Sequence, residues 1–386
     1  MAELIIDSNY YNKLDIEGFS KMMSSPSYCY KFYWLEAIVQ LISANRTEAT
    51  YDEIINKMIA NAWFPVQEYH IHLSGIYGDG DVKDNLEKAV SRLYELTQLP
   101  SNANEIQIMN KLAEFSDDKE LHSYKTELTK NVPYKALSGF ANKGTEKINL
   151  ESSAGRMIAY YNKLSGSELL LPYTFGDDKS LKKVVKFNDG WIQMIQDNMV
   201  SILGWIKYEK VKWLQNNNPE VPGIVYKLAQ DDEKARKLDN VRKLWDAILE
   251  IRPVKNVFMD GDINRESYAV DHFIPRNFVM NDELWNLMPM DPIQNMKKNK
   301  KLPVWENYFG QFANNQFMMY EMIFEKPELL KLYKQCYKDN LHSIWAIQEL
   351  YRKGNSADEF RNILDKNMHP VYDSARMQGY DIWDVS

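Results

Sequence analysis

Cysteine is almost missing from this sequence, since its 386 residues include only Cys29 and Cys336. The two cysteines lie far apart and form no Cys-x-x-Cys pair, which excludes a disulfide scaffold and a cysteine-based zinc ribbon. Such sparing use of cysteine is typical of a reducing compartment, so we expect a cytoplasmic protein.

Long apolar runs are missing as well. No stretch reaches the roughly 18 apolar residues of a membrane-spanning helix, so the sequence predicts no contact with the membrane interior. The start, MAELIIDSNYYN, has no basic region followed by an apolar one, and we expect no signal peptide. The sequence also has no phosphate-binding P-loop, so any step driven by a nucleoside triphosphate would need another chain.

An overall excess of positive charge is lacking too, because the net charge is −7. This value argues against a protein whose whole surface attracts DNA or anionic lipid without regard to sequence. A local basic surface is still compatible with it. The run KKNKK at 297–301 gives segment 291–303 a charge of +3, from four lysines and Asp291.

Helical patterns dominate the chain. Two predicted helices begin with a capping box, one at Thr50 and Glu53 and the other at Ser356 and Glu359. Strand patterns are few, and the sequence therefore predicts a mainly α fold with a small α+β module. Further helices are predicted over 84–99, 191–215 and 327–354, and strands over 168–175, 184–187 and parts of 254–290.

Three regions are expected along the chain. Residues 1–245 would form a mainly helical recognition or regulatory region, with room for two subdomains. The α+β module would occupy 246–310, and helices over 311–386 would pack on it. The polar stretch QDDEKARKLDN at 230–240 is the best candidate for a linker, although it fits an exposed helix face equally well.

The window at 255–303 is the most informative part of the module. NVFM at 256–259 and SYAVDHFI at 267–274 predict strands around a turn rich in Asp, Gly and Asn. LWNLMPM at 284–290 predicts another extended segment. DPIQNMKKNK then predicts a helix with Asp291 as its N-cap and Pro292 at its first position.

Three polar residues of this window suit the hydrolysis of a phosphodiester. That reaction needs an activated water and a counter-charge for the transition state. The neutral imidazole of His272 can accept a proton near neutral pH. Carboxylate and amide oxygens, as in Asp271 and Asn295, are hard ligands that suit Mg²⁺. Adjacent strand residues point to opposite faces, so Asp271 and His272 can share a site only if the strand ends or twists there.

The order of these residues resembles that of the HNH nucleases, the ββα-metal group. The pattern is Val-Asp-His-x-Ile-Pro, then Trp-Asn-Leu, then Asn295, Lys298 and a closing Leu-Pro. Its spacing is especially similar to that in the HNH domain of RNA-guided CRISPR nucleases. Stand-alone bacterial HNH proteins with long helical N-terminal regions carry similar motifs.

The resemblance implies a role for each residue of the motif. His272 would be the general base, and Asp271 and Asn295 would be the ligands of Mg²⁺ or Mn²⁺. Asn286 would hold the loop and orient the backbone of His272. The products would carry a 5′-phosphate and a 3′-hydroxyl. Four basic residues are expected to contact the substrate: Arg276, Lys297, Lys298 and Lys301.

The sequence departs from the family pattern at two places. Arg276 and Asn277 follow the proline where a Gln or Trp and then a Ser are expected, so the family's loop contacts do not transfer directly. The last ligand position is Asn295 rather than a histidine, which favours Mg²⁺ or Mn²⁺ over zinc.

The leading hypothesis is therefore a metal-dependent HNH endonuclease acting on DNA. One HNH site cuts one strand, so a double-strand break would need a homodimer, a partner nuclease or two successive nicks. The stand-alone bacterial relatives imply a role in restriction or anti-phage defence, with a partner protein from such a system. The alternatives are an RNase or toxin-type nuclease, and a non-catalytic nucleic-acid-binding or assembly subunit. The presence of Asp271, His272 and Asn295 together argues against a non-catalytic subunit.

Overall fold

The structure of the protein is a computed structural model that describes residues 4–24, 26, 28–74, 84–228 and 236–385. It contains two compact units. The first comprises Met1–Pro219 and Lys227–Gln230, and the second comprises Glu220–Tyr226 and Asp231–Ser386. Part of the predicted linker, at 230–235, lies outside the described residues.

The first unit is mainly helical. Its strands β1 (Glu48–Thr50), β2 (Tyr173–Phe175) and β3 (Val184–Phe187) form one antiparallel sheet in the order β1-β3-β2. Its described helices are α1 (Ile16–Lys21), α2 (Tyr30–Ser43), α3 (Tyr51–Tyr69), α4 (Asn85–Thr97), α5 (Glu105–Glu114), α6 (Lys119–Thr129), α7 (Val132–Lys135), α8 (Ala154–Ser167), α9 (Asp189–Asp197) and α10 (Met199–Asn217).

Both predicted capping boxes are confirmed, one in each unit. At the start of α3, the hydroxyl of Thr50 accepts a hydrogen bond from the backbone N–H of Glu53. The Glu53 carboxylate accepts one from the backbone N–H of Thr50. Ser356 and Glu359 form the same reciprocal pair at the start of a later helix. Each box satisfies two backbone donors that the first turn of a helix leaves without a partner.

The second unit contains the α+β module. Strands β4 (Ala269–His272) and β5 (Leu287–Met290) pair antiparallel, while β6 (Leu302–Pro303) and β7 (Ile382–Trp383) pair parallel. Its described helices are α11 (Asp239–Ile251), α12 (Arg276–Val279), α13 (Pro292–Lys298), α14 (Trp305–Glu325), α15 (Pro327–Asn340) and α16 (Ala357–Met377).

A single aromatic core supports the module. It draws buried side chains from α11, β4, β5, α14, α15 and α16. Phe273 lies within it and stacks on Phe312 of α14 with ring centroids 4.5 Å apart, and it makes an edge-to-face contact with Trp305 at a centroid distance of 5.6 Å. Packing of this kind fixes the chain immediately after His272, where a displaced backbone would move the imidazole.

The predicted fold class, mainly α with a small α+β module, is confirmed. None of the helices in the described part of the chain combines the length and the apolar character needed to cross a bilayer. The division of the chain into regions at 1–245, 246–310 and 311–386 stays a prediction.

Three predicted elements differ from the structure. The predicted helix over 191–215 is divided at Asn198, whose side-chain amide donates to the carbonyl of Met194 and so competes with the helical pattern. The predicted helix over 327–354 ends at Asn340, and only a π-helical turn at Ala346–Leu350 follows.

The third difference lies inside the module. Residues 257–259 form bends instead of the predicted strand at 256–259, beside an isolated bridge between Lys255 and Asp262. The side chain of Asn256 accepts a hydrogen bond from the backbone N–H of Phe258, which favours a turn over an extended chain.

Candidate active site

Two strands and one helix bring the predicted residues together. In the β4–β5 pair, Asp271 lies opposite Met288 and His272 opposite Leu287. The helix α13 follows β5 directly. Asp291 caps it as predicted, because its carboxylate accepts hydrogen bonds from the backbone N–H groups of Ile293 and Gln294.

Asn286 holds the turn that follows His272. Its side chain is fully buried and makes two hydrogen bonds with the backbone of Ile274: the amide oxygen accepts from N–H at 2.8 Å, and the amide nitrogen donates to C=O at 2.8 Å. The backbone N–H of Phe273 also donates to the carbonyl of Asn286 at 2.9 Å. This placement agrees with a loop-holding role and keeps Asn286 away from substrate.

The imidazole of His272 is buried, with 1% of its surface exposed, and polar groups contact both ring nitrogens. Nε2 lies 3.0 Å from the carbonyl oxygen of Asn281 and 3.1 Å from Oδ1 of Asp282, and both can only accept a hydrogen bond. Nδ1 lies 3.4 Å from a guanidinium nitrogen of Arg236, which can only donate. Of the two tautomers that a neutral imidazole can adopt, these neighbours favour the one with its proton on Nε2 and its lone pair on Nδ1.

Asp282 stays ionised beside this histidine. Burial raises the pKa of Asp282, but the hydrogen bond with His272, the charge that this imidazole carries when protonated and the charge of Arg236 outweigh burial and lower the pKa to about 2. The loop that carries Asp282 is itself fixed, because the carboxylate of Glu283 accepts hydrogen bonds from the backbone N–H groups of His342 and Ser343.

Lys298 fixes the position of Asp271, the neighbour of His272 on β4. Its side chain is fully buried, and its ammonium donates to Oδ2 of Asp271 at 2.8 Å and to the carbonyl of His272 at 2.7 Å. The last turn of α13 therefore fixes both the carboxylate of Asp271 and the end of β4. Charge-assisted hydrogen bonds of this kind are stronger than neutral ones.

The predicted general base and metal ligands line one open cavity of about 330 Å³. Asp271, His272 and Asn295 all line it, although Asp271 and His272 are neighbours on one strand. The strand β4 ends at His272, which meets the condition for both side chains to serve one site. Two arginines and a lysine also line the cavity: Arg236, Arg276 and Lys300.

The oxygen donors at this cavity fit a hard divalent cation. Asp271 contributes a carboxylate and Asn295, which is half-buried, contributes an amide. In the part of the chain that the structure describes, no group of three or more His, Cys, Asp and Glu side chains could hold an ion. A pair of oxygen ligands suits Mg²⁺, which usually keeps several waters and takes further oxygens from the phosphate of its substrate.

The four predicted substrate contacts fall into different environments. Arg276 lines the cavity, and its Nε lies 3.7 Å from Oδ1 of Asp282. Lys297 is exposed and Lys301 is half-buried, and the cavity lining includes their neighbour Lys300 instead. Lys298 is predicted to meet phosphate, but its ammonium lies inside the protein. Because the side chain is fully buried, it would have to leave the interior to contact substrate, which argues against that role.

Three residues of the site are missing from the sequence-based set. Asp282 could have been predicted from the local sequence, since it is a carboxylate in the loop between the two strands. Arg236 lies in the stretch that resembled a linker, and nothing in its local sequence connects it with His272. Lys300 belongs to the recognised lysine run, but only the turn after α13 decides which lysine reaches the cavity.

Comparison with known proteins agrees with this geometry. A family model described as HNH endonuclease matches residues 257–304, which include β4, β5 and α13. Neither curated proteins nor solved structures give a significant match to the chain. Residues 257–304 are therefore an HNH-family domain, the family that the motif resembles.

Proposed function

We propose that this protein is a metal-dependent endonuclease that hydrolyses phosphodiester bonds of DNA. The observation that supports this most directly is that Asp271, His272 and Asn295 line one cavity within an HNH-family domain. A general base and two hard oxygen ligands are the groups that this hydrolysis requires.

His272 is the general base in this proposal. The tautomer favoured by Asn281 and Asp282 leaves the lone pair on Nδ1, and Nδ1 takes a proton from the water that attacks phosphorus. The P–O3′ bond breaks as the new P–O bond forms, and the departing O3′ takes a proton from solvent water, which gives a 5′-phosphate and a 3′-hydroxyl. Asp282 stabilises the imidazolium that results, much as a buried carboxylate does in other histidine-based sites.

Asp271 and Asn295 would hold Mg²⁺ or Mn²⁺. When bound, the ion supplies positive charge for the phosphate oxygens and the leaving group. Lys298 keeps the carboxylate of Asp271 in place through its 2.8 Å hydrogen bond. Arg276 and Lys300 supply positive charge at the wall of the cavity, and the exposed Lys297 and half-buried Lys301 would approach phosphates farther along the nucleic acid.

The biological setting follows from the resemblance. The proposal extends to a cytoplasmic protein of a bacterial restriction or anti-phage system, in which residues 1–245 recognise substrate, a partner or an activator. A homodimer or a second nuclease would be needed to cut both strands together.

Nicking of a supercoiled plasmid tests the proposed activity. The purified protein should convert the plasmid to open-circle or linear DNA only when Mg²⁺ or Mn²⁺ is present. His272→Ala should abolish this conversion because the base is lost, while His122→Ala, which removes an exposed histidine of the first unit, should not.

A labelled single-stranded RNA incubated in parallel separates the two possible substrates. His272-dependent cleavage of RNA alone would replace DNA with RNA in the proposal. Equal cutting by the wild type and His272→Ala would contradict the proposed base. No cutting of either nucleic acid would contradict an endonuclease that acts without an activator.

A further inference from the structure

Arg236 reaches the cavity from outside the segment that matches the HNH family, 257–304. Its guanidinium makes two hydrogen bonds with Oδ1 of Asp282, from Nε at 3.3 Å and from a terminal nitrogen at 3.1 Å. The same terminal nitrogen lies 3.4 Å from Nδ1 of His272. Arg236 is therefore next to the nitrogen that must accept a proton from water.

The backbone beside Arg236 is held in place. The buried amide of Asn340 donates hydrogen bonds of 3.0 Å to the carbonyl of Lys237 and, equally long, to the carbonyl of Asp282. Lys237 also forms a 3.0 Å ion pair with Asp339. Asn340 thus ties the chain that carries Arg236 to the loop that carries Asp282, so the guanidinium is fixed from two sides.

The contact with His272 is the weakest of those that Arg236 makes. At 3.4 Å between two nitrogens it lies beyond the usual range of a strong hydrogen bond. A phosphate oxygen is a better acceptor for a guanidinium, because its negative charge strengthens the bond. Arg236 has five N–H groups, and its side chain is 34% exposed, so donors remain for an anion in the cavity while Asp282 stays bound.

We propose that Arg236 binds the phosphodiester group that is cleaved, and that Asp282 and His272 hold its guanidinium at the cavity until substrate enters. This inference rests on the proposed nuclease function. When the phosphate binds, the guanidinium exchanges its contact with Nδ1 for a phosphate oxygen, and Nδ1 becomes available to the attacking water. The exchange places positive charge beside the phosphate as negative charge builds up in the transition state.

Arg236→Ala in the full-length protein tests this role with two measurements. The single-turnover rate of plasmid nicking should fall about a hundredfold, as expected when one donor to a developing charge is removed. Binding to a short fluorescent DNA duplex is measured in EDTA over a series of salt concentrations. The slope of log K against log salt should become shallower by about one, because one phosphate contact is lost.

Two further variants separate phosphate binding from a general effect of charge. Arg236→Lys should keep the salt slope but recover only part of the rate, because an ammonium cannot contact Asp282 and a phosphate with the same planar geometry. Arg252→Ala removes one positive charge from an exposed position of the second unit that does not line this cavity. It should change neither the nicking rate nor the slope by more than about the experimental error.

The outcomes are distinct. A wild-type rate and salt slope for Arg236→Ala would overturn the inference and leave the nuclease proposal intact. A lower rate with an unchanged slope would also overturn it, since Arg236 would then act only through His272. If Arg236→Ala fails to fold in a thermal unfolding assay, Arg236→Gln takes its place, because it removes the charge but keeps a polar side chain of similar length, and an unchanged salt slope for that variant would overturn the inference. A wild-type protein that neither binds nor cuts DNA or RNA would overturn the nuclease function itself.

Discussion

At residue 272, two neighbours determine how the imidazole can act. Asn281 and Asp282 accept at Nε2, which leaves the lone pair on Nδ1, and His272 lines the cavity. The carboxylate is the neighbour whose contribution a single substitution can measure, because the carbonyl of Asn281 belongs to the backbone.

Replacing Asp282 by Asn should slow cleavage without abolishing it. The amide oxygen of Asn can still accept from Nε2, and the carbonyl of Asn281 remains, but the negative charge that stabilises the imidazolium is lost. Substitution of such a supporting residue typically costs tenfold to roughly a hundredfold in activity. Single-turnover nicking measures the loss, with Asp260→Asn at an exposed position of the same module as the control. An unchanged rate in a folded Asp282→Asn protein would contradict this role.

The same variant should also change how stability depends on pH. The folded pKa of Asp282 is about 2, below the ordinary value of 3.8, so its ionised form stabilises the folded state. That contribution is fully present above about pH 4 and is lost as the pH falls towards 2. The free energy of unfolding of the wild type should therefore approach that of Asp282→Asn as the pH falls through this range. Urea unfolding of both proteins from about pH 5 to about pH 3 measures the difference, and a constant gap would contradict the assignment.

At the scale of elements, the helix α13 carries one buried lysine and one exposed lysine. Lys298 is fully buried between β4 and the helix, while Lys297, one residue earlier, is exposed. Consecutive residues of a helix point in different directions, which separates these two side chains, and a turn follows directly. Asn299 has φ 47° and ψ −123°, and the backbone N–H of Lys301 donates to the carbonyl of Lys298, as in a type II′ turn. This reversal places Lys300 at the cavity.

Lys298→Met and Lys297→Met should therefore differ in their effects. Loss of the buried ammonium removes two hydrogen bonds and leaves Asp271 without its cation, which should lower the free energy of unfolding by about 2 kcal/mol. Lys297→Met should change it by no more than about 0.5 kcal/mol, because that side chain lies on the surface. Urea unfolding measures both. Equal stability of the two variants would mean that the contacts of Lys298 contribute little to the fold.

The same helix shows how far sequence reasoning reaches. Asp291 and Pro292 predict the start of α13 correctly, because capping depends on neighbouring residues alone. The family resemblance places Asp271, His272 and Asn295, which the structure brings to one cavity.

Other features of the site depend on distant parts of the chain. A lysine run predicts an exposed basic face, and only the pairing with Asp271 reveals that Lys298 is buried. Arg236 lies 36 residues before His272 and meets it through contacts made by Asn340, far along the chain. Local sequence patterns therefore cannot predict a contact between residues so far apart in the chain.

At the scale of the whole molecule, the HNH-family segment does not contain its own core. The apolar cluster around it runs from Val241 to Trp383, well beyond the matched residues 257–304 at both ends. Phe273 packs on α14, and Gln316 of the same helix donates to the carbonyl of Leu287 in β5. Without these helices the strands would expose the face that positions His272, and short segments of this size rarely bury enough apolar surface to fold alone.

Two fragments should therefore behave differently. Residues 220–386, which include the whole second unit, should unfold in one cooperative transition in urea, because the entire cluster lies within them. Residues 257–304 alone should show no cooperative transition, because they lack the helices on which Phe273 packs. Circular dichroism during urea titration measures both. The larger fragment should also retain His272-dependent nicking if the first unit only recognises or regulates. A cooperative transition for 257–304, or its absence for 220–386, would show that the core has been assigned to the wrong part of the chain.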